Sequence, residues 1–496
     1  MRTLAAVDLG AQSGRVAIGR FDGARLSVDV VHRFANVPVE RKGTLEWDAP
    51  RLRRDVADGL RKAARDEQIE SVAVDSWAVD FGLLDDAGRL LRNPVHYRDR
   101  RRAAAFDRVL EQIPPRELYQ RTTIQLLPIN TVFELAALAA DGGAALTGAR
   151  RLLLIPDLFH HWLCGSETTE LTNATTTQCY DPHTGDWARD LLDRLEIPTA
   201  ILPEIVSPGT TLGPVGADAG AETGLLGATV IATATHDTAA AVAAIPLNGE
   251  RSAYLSIGTW SLVGIESDVP VAGEAAYRTN LTNEGGVGGT VRVLRNVNGL
   301  WLLHECRRAW AEAGRDYAFA ELVELARAAL PLQALIDPDA PLFAEPGDVP
   351  ARVAWYCADT GQEPPASDAA TVRCILESLA LKQAECVDVL ASVSGRTVDE
   401  LHVVGGGARN DLLCAWTAEA AQRLVLAGSS ESTLLGNLLV QALALGEIAS
   451  IAEGRELVRR SFAATTYEPT SDPAWHEARD RFAELGRTSN GIEVRA

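Results

Sequence analysis

The sequence predicts an α/β protein built of two domains. Three observations carry that expectation. The chain has 496 residues, more than one ordinary core accommodates. Short β-branched or alternating runs are interspersed with longer amphipathic runs rich in Ala, Leu and Arg. The chain also opens twice in the same manner, once at its start and again after Ile245-Pro-Leu-Asn-Gly-Glu250. Pro, Asn and Gly fall together there, after an Ala-rich helix, which marks a boundary. Residues 1–246 and 247–487 are therefore expected as two domains, with a loose tail at 488–496.

Within the first half, strands are expected at 3–9, 15–21, 26–34, 71–75, 81–85 and 229–234, from β-branched content and alternation. In the second half they are expected at 253–257, 262–266, 291–294 and 401–404. Helical patterns cover 49–67, 100–111 and 130–140, then 300–313, 367–393, 410–421 and 434–444.

Composition narrows the function classes. Hydrophobic residues make up 47% and charged residues 23%, as in an ordinary soluble globular protein. No apolar stretch is long enough to span a membrane, and the first residues lack the pattern of a signal peptide, so a cytoplasmic address is expected. Lys plus Arg total 47 against 67 Asp plus Glu, a net charge of −20, which argues against nucleic acid as a partner. A single anionic ligand is not excluded, because local backbone N–H groups decide that. The seven cysteines include no C-x-x-C pair and read as reduced thiols. Cys357 and Cys374 flank a Pro-rich loop that can bring them together. His160, His161 and His304 have no companions at metal-ligand spacing, so zinc is not expected.

Six segments could carry chemistry. In Asp8-Leu-Gly-Ala-Gln-Ser-Gly-Arg15, glycines and short polar residues would let backbone N–H groups close on phosphate oxygens. Strand follows the turn, so it is no Walker loop, and the chain's lysines, Lys42, Lys62 and Lys382, lie outside any such motif. Asp8 at the strand end could hold Mg²⁺; an ordinary tight hairpin explains the same residues equally well. Ser256-Ile-Gly-Thr-Trp-Ser261 repeats the design in the second half. Gly405-Gly-Gly407 between strand and helix would let a nucleotide approach the backbone. Thr229–Thr238 ends an apolar strand with His236 and Asp237. Asp237 there is either a helix cap or a general base accepting a hydroxyl proton, with His236 orienting it. Asp75-Ser-Trp77-Ala-Val-Asp80 offers acids and an aromatic face to a sugar, or else forms a hairpin around a core Trp. Asn296, just ahead of a helix pattern, is a ligand candidate or a cap.

Taken in this order, with Asn173-Ala-Thr-Thr-Thr-Gln178, Asn283-Glu-Gly-Gly286, Gly299-Leu-Trp-Leu-Leu303 and the 127–131 run Leu-Pro-Ile-Asn-Thr, these segments resemble the FGGY family of carbohydrate kinases over nearly the whole chain. The resemblance implies two actin-like ATPase (ribonuclease H-like) domains with a ligand cleft between them. It implies ATP, Mg²⁺, and phosphoryl transfer to a hydroxyl of a ketose by a monomer or small homo-oligomer. Asp237 becomes the proton acceptor. Ala11, Gln12, Ser13, Gly14, Arg15, Thr259 and Gly406 match ATP-contacting positions, and His236, Asp237, Thr238 and Asn296 match sugar-contacting positions. Two residues depart from the pattern. Ala78 stands where Gly is usual on the sugar side, and His304 where Gln is expected near ATP. The added methyl at Ala78 leaves other ketoses, such as fuculose or xylulose, open as substrates. A chaperone-like ATPase of the same fold would need a peptide-binding domain, for which the two halves leave no room.

Overall fold

The computed structural model describes residues 2–489. By compactness the chain divides into two units. The first comprises residues 1–246, 266–293 and 431–462; the second comprises 247–265, 294–430 and 463–496. Two stretches of the block 247–487 thus pack with the first unit. The reason is visible in the helix Ser432–Ala444, whose Leu434, Leu435, Leu438 and Leu439 share one buried cluster with Leu4, Ala6 and Ala17.

The first unit is built on a six-stranded sheet. Its strands run in the order Thr210–Pro214, Thr229–Ala232, Ser71–Ser76, Arg2–Leu9, Ser13–Phe21, Leu26–Ala35. Arg2–Leu9 is buried at every residue after Arg2, because helices cover both faces; this explains its unbroken apolar run. The faces are read from two close approaches. Gly59 of the helix Ala49–Ala63 lies on Val16, and Gly19 lies on Leu438. Val16 and Gly19 are three apart on one strand and so point to opposite faces. The helix Ala49–Ala63 starts where Asp48 accepts from the Arg51 amide, and it ends four residues short of the expected 67.

The hairpin left open as an alternative between 71–75 and 81–85 does not form. Ser71–Ser76 runs parallel to Arg2–Leu9, whereas Phe81–Leu84 pairs with Arg151–Leu154 in a separate sheet. The redirection occurs at Val79, whose φ is 68°. The Asp80 amide donates to the Ala78 carbonyl at 2.9 Å across it, a γ-turn that a β-branched residue adopts only under strain. Thr131 Oγ1 donates to the Val79 carbonyl at 2.6 Å and holds it there.

In the second unit, Ser252–Ile257 pairs antiparallel with Trp260–Ser267 and parallel with Glu400–Val404; Leu424–Ala427 and Thr465–Tyr467 follow in order. The helix Asp368–Ser394 packs against Phe319–Ala328 and Asp411–Ala421. It begins on a Ser367 side-chain cap and ends at Gly395 in the left-handed region. Cys357 and Cys374 are free thiols hydrogen-bonded to each other. That bond lowers the Cys357 pKa and, with burial, holds the Cys374 thiol well above the usual range. Residues 488 and 489, expected in a loose tail, belong to the closing helix Pro473–Ser489; 490–496 lie outside the described residues. Among the described residues no helix is long and apolar enough to cross a membrane.

Candidate active site

In the first unit the turn after Arg2–Leu9 is shaped by backbone bonds. The Gly10 amide donates to the Ser13 carbonyl at 3.0 Å, and a Cβ at Gly10 would meet that oxygen at 2.9 Å. Asn36 braces the turn from outside, its amide on the Gln12 carbonyl and its Nδ2 on the Gly10 carbonyl, both at 2.9 Å. Gln12 and Ser13 stay exposed, Ala11 and Arg15 partly so, and Gly14 is buried against Phe34. The turn is thus rigid and open to a ligand from its tip.

Behind the turn stands a row of acids. Asp8 faces Asp75 across the parallel ladder. Arg15, opposite Asp8 in the antiparallel ladder, donates to Asp8 and also to Glu431. The Arg15 guanidinium, expected at ATP, is thus already held by two carboxylates. Asp75 Oδ2 accepts from Asn437 Nδ2 at 2.6 Å, while its Oδ1 is buried without a partner. Burial pushes the Asp75 carboxyl well above the usual carboxylate range, and the charges of Asp8 and Asp237 add to it. Burial likewise raises Asp8, against the pull of Arg15. Among the described residues no three His, Cys, Asp or Glu side chains are grouped to hold a metal ion by themselves; a hard divalent cation at Asp8 would need phosphate oxygens to complete its shell.

The strand Thr229–Ala232 stops two residues earlier than expected because the next residues are held from other elements. Thr233 Oγ1 donates to the Asn437 carbonyl at 3.2 Å. Glu170, fully buried, accepts from the amide and the hydroxyl of Thr235, both at 2.8 Å, and from the amide and hydroxyl of Thr172. His236 follows in extended geometry, and Asp237 opens the helix Asp237–Ala243. No side chain caps that helix, so the capping role open to Asp237 is not the one it plays. Its side chain keeps 30% of its surface exposed, against 3% for that of Asp8, and Asp75 is fully buried. Thr238 Oγ1 donates to Asp237 Oδ1 at 3.1 Å, and His236 Nε2 lies 3.5 Å from the same oxygen. An accessible carboxylate with its protein contacts gathered on one oxygen can accept a proton on the other.

On the expected sugar side, Ala78 is partly exposed and precedes the strained Val79. Trp77 and Asp80 serve the fold. Asp80 Oδ2 accepts from Trp47 Nε1 at 2.6 Å and Trp77 Nε1 at 3.0 Å, and Oδ1 from Arg102 at 2.6 Å. Asp80 is therefore no free partner for a hydroxyl.

The second unit carries its own turn. Gly258 donates to the Trp260 carbonyl at 2.8 Å, and the amides of Gly299 and Trp301 both donate to the Thr259 carbonyl at 3.2 Å. Gln383 anchors Ser261 at 3.1 Å and accepts from Thr417 at 2.9 Å. The three glycines after Glu400–Val404 divide their tasks. Gly405 has φ +80° and, like Gly407, sits too close to Ile257 for any Cβ. Only at Gly406 would a Cβ meet nothing within 4 Å, so Gly406 is the one facing open space. His304 lies in Trp301–Glu312 with its ring 5.6 Å from Phe319, and burial lowers its pKa. Asn296 sits inside the strand Val291–Asn298, half-buried. It does not cap the helix, whose N-terminal neighbour is Leu300.

Sequence reasoning missed Glu431, Asn437, Glu170, Glu284 and Arg292. Glu284 stood inside a quoted motif but was given no role; the others had no local signal. A hairpin whose tip is open backbone, backed by buried acids and followed by an accessible aspartate, defines a phosphotransferase of the actin-like ATPase fold. The comparisons agree with that class. The model of the FGGY family of carbohydrate kinases, N-terminal domain, matches residues 3–244, and that of its C-terminal domain matches 253–445. The chain belongs to this family, whose members transfer a phosphoryl group from ATP to a sugar. It is 41% identical to a rhamnulokinase of Bacteroides thetaiotaomicron over 97% of this chain and 99% of the relative. It is 40% identical to a rhamnulokinase of Pectobacterium carotovorum subsp. carotovorum over 98% and 97%. A crystal structure of gluconate kinase from Lactobacillus acidophilus shares the fold, with a TM-score of 0.80 at 16% identity over 100% of this chain and 99% of that one.

Proposed function

We propose that the enzyme phosphorylates L-rhamnulose at its 1-hydroxyl, consuming ATP in the cytoplasm. The sugar is taken from the relatives, which are named for it and match nearly end to end. The mechanism rests on one observation: Asp237 is the only member of the row Asp8, Asp75 and Asp237 that keeps substantial exposure, and its protein contacts fall on Oδ1.

In this reading Asp237 Oδ2 accepts the hydroxyl proton as the sugar oxygen attacks the γ-phosphorus, while His236 and Thr238 fix the carboxylate. The backbone of residues 11–15 holds phosphate oxygens in the first unit. Arg15 serves mainly to keep Asp8 in place. Thr259 and Gly406 serve the nucleotide in the second unit, and His304 stands beside them. Mg²⁺ would be held by Asp8 and the phosphates, and it would offset phosphate charge during transfer. Ala78 and Asn296 contact the sugar.

The test is ADP release with Mg-ATP in the presence of L-rhamnulose, L-fuculose, D-xylulose or D-fructose. L-rhamnulose should stimulate it far above the other three; stimulation by another ketose instead would move the substrate and implicate Ala78. Asp237→Asn should keep sugar and ATP binding and lower kcat by about 100-fold or more. Near-normal turnover in that variant would remove Asp237 as the base.

A further inference from the structure

His236 has Asp237 on one ring nitrogen and a buried ion pair on the other. Nδ1 lies 3.1 Å from Arg292 Nη2 and 3.3 Å from Glu284 Oε2, and those two atoms are 3.0 Å apart. Arg292 is fully buried and Glu284 nearly so. Arg292 is fixed by its Nε, which donates to the Gly285 carbonyl at 2.9 Å. The Gly285 amide is fixed in turn by Thr175 Oγ1 at 2.9 Å. Although burial pushes the Glu284 carboxyl up, the charge of Arg292 pulls it the other way, and it stays below its ordinary value. Glu284 is thus an anion that balances Arg292.

A guanidinium has donors and no acceptor. A ring nitrogen facing it at hydrogen-bond distance must present its lone pair, so the ring proton resides on the other nitrogen. With that assignment Nδ1 is the acceptor toward Arg292, and the ring proton falls on Nε2, 3.5 Å from Asp237 Oδ1. We infer that Arg292 and Glu284 are positioning residues that fix the tautomer of His236, so that Nε2–H and the Thr238 hydroxyl both address Oδ1 and leave Oδ2 to take the proton from the sugar. Without Arg292, Glu284 would accept a proton held on Nδ1. Nε2 would then turn a lone pair toward the carboxylate that it now supports. Without the charge of Glu284, Arg292 still donates and the tautomer stays. The inference rests on the reading of Asp237 as the base, but the tautomer itself does not.

The experiment is ring ¹⁵N–¹H correlation NMR on the full-length enzyme labelled at its nine histidines, without sugar or ATP. The His236 signals are identified by their loss in His236→Asn. Wild type and Glu284→Gln should show an unprotonated Nδ1 and a protonated Nε2. Arg292→Gln should move the proton to Nδ1 and lower kcat by about tenfold or more, with a smaller change in sugar KM. Arg292→Lys, which keeps a donor-only cation, should retain the wild-type ring pattern and recover part of kcat. A proton on Nδ1 in the wild type overturns the inference even if no variant folds. So does a folded Arg292→Gln enzyme with the wild-type ring pattern. Because the ring is read without substrate, either result is independent of which sugar the enzyme uses.

Discussion

Gly436→Ala is a substitution that helix propensity alone would recommend. Gly436 lies in the helix Ser432–Ala444, where Ala instead of Gly is ordinarily worth about 1 kcal/mol of stability. At this position a Cβ would stand 1.6 Å from the Ala240 carbonyl oxygen and 2.5 Å from its carbon. A close carbon–oxygen contact is about 3.3 Å, so the backbones must part by roughly 1.5 Å or more. The obstacle is main chain and cannot rotate aside. Overpacking costs about 1–3 kcal/mol even where side chains give way, so a net loss of about 2 kcal/mol is expected, or about 5 °C in Tm. The Ala240 amide donates to the His236 carbonyl at 3.0 Å. Displacement there carries into the turn that presents His236 and Asp237, and a 1 Å error near the reacting atoms can lower kcat by about 100-fold. Thermal unfolding and steady-state kinetics on the same preparation test this. Unchanged Tm and kcat would refute the close-packing argument. A large Tm loss with normal kcat would refute the link to Asp237.

Other perturbations separate parts of the site. Gly406→Ala should leave Tm unchanged, since its methyl enters open space, but raise the KM for ATP several-fold; an unaltered KM would take Gly406 out of the nucleotide site. Asp157 is buried, and burial holds its carboxyl well above the usual range despite the Thr169 hydroxyl. A carboxyl whose folded pKa is raised stabilises the fold below its unfolded pKa, and that contribution is lost as pH rises through the folded pKa. Asp157→Asn should therefore lose less Tm than the wild type between pH 5 and pH 8, by differential scanning fluorimetry; parallel curves would refute a raised Asp157.

Some of this architecture was legible in the sequence and some was not. The two glycine-bearing hairpins were readable because a tight turn between strands needs Gly and short polar residues locally. The place of Asp237 was readable, because an apolar strand run that ends in polar residues before an Ala-rich run marks a strand end next to a helix start. The bracing of these groups was not, because it comes from distant chain. Asn437 reaches Asp75 across 362 positions and Gln441 reaches Ser71 across 370. In sequence these are merely polar residues in an apolar helix. The cap alternative for Asn296 fails because a strand continuing to Asn298 and a helix starting at Trp301 leave almost no connection to signal the change. Asp75 and Asp80 looked alike, two acids beside a Trp. Only the indoles of Trp47 and Trp77 and the guanidinium of Arg102 show that Asp80 is spoken for.

The return of residues 431–462 to the first unit bears on how the chain is made. As it leaves the ribosome, residues 1–246 emerge with Ser71 and Asp75 lacking the amide groups of Gln441 and Asn437, and with Leu4 and Ala6 lacking their leucine cover. That sheet cannot reach its final packing until some two hundred further residues have been translated, at about 5–20 residues per second. Its apolar face thus waits for tens of seconds, a window in which a chaperone or an unwanted partner can act. A gene cut after Pro246 should accordingly yield an aggregation-prone fragment rather than an autonomous domain.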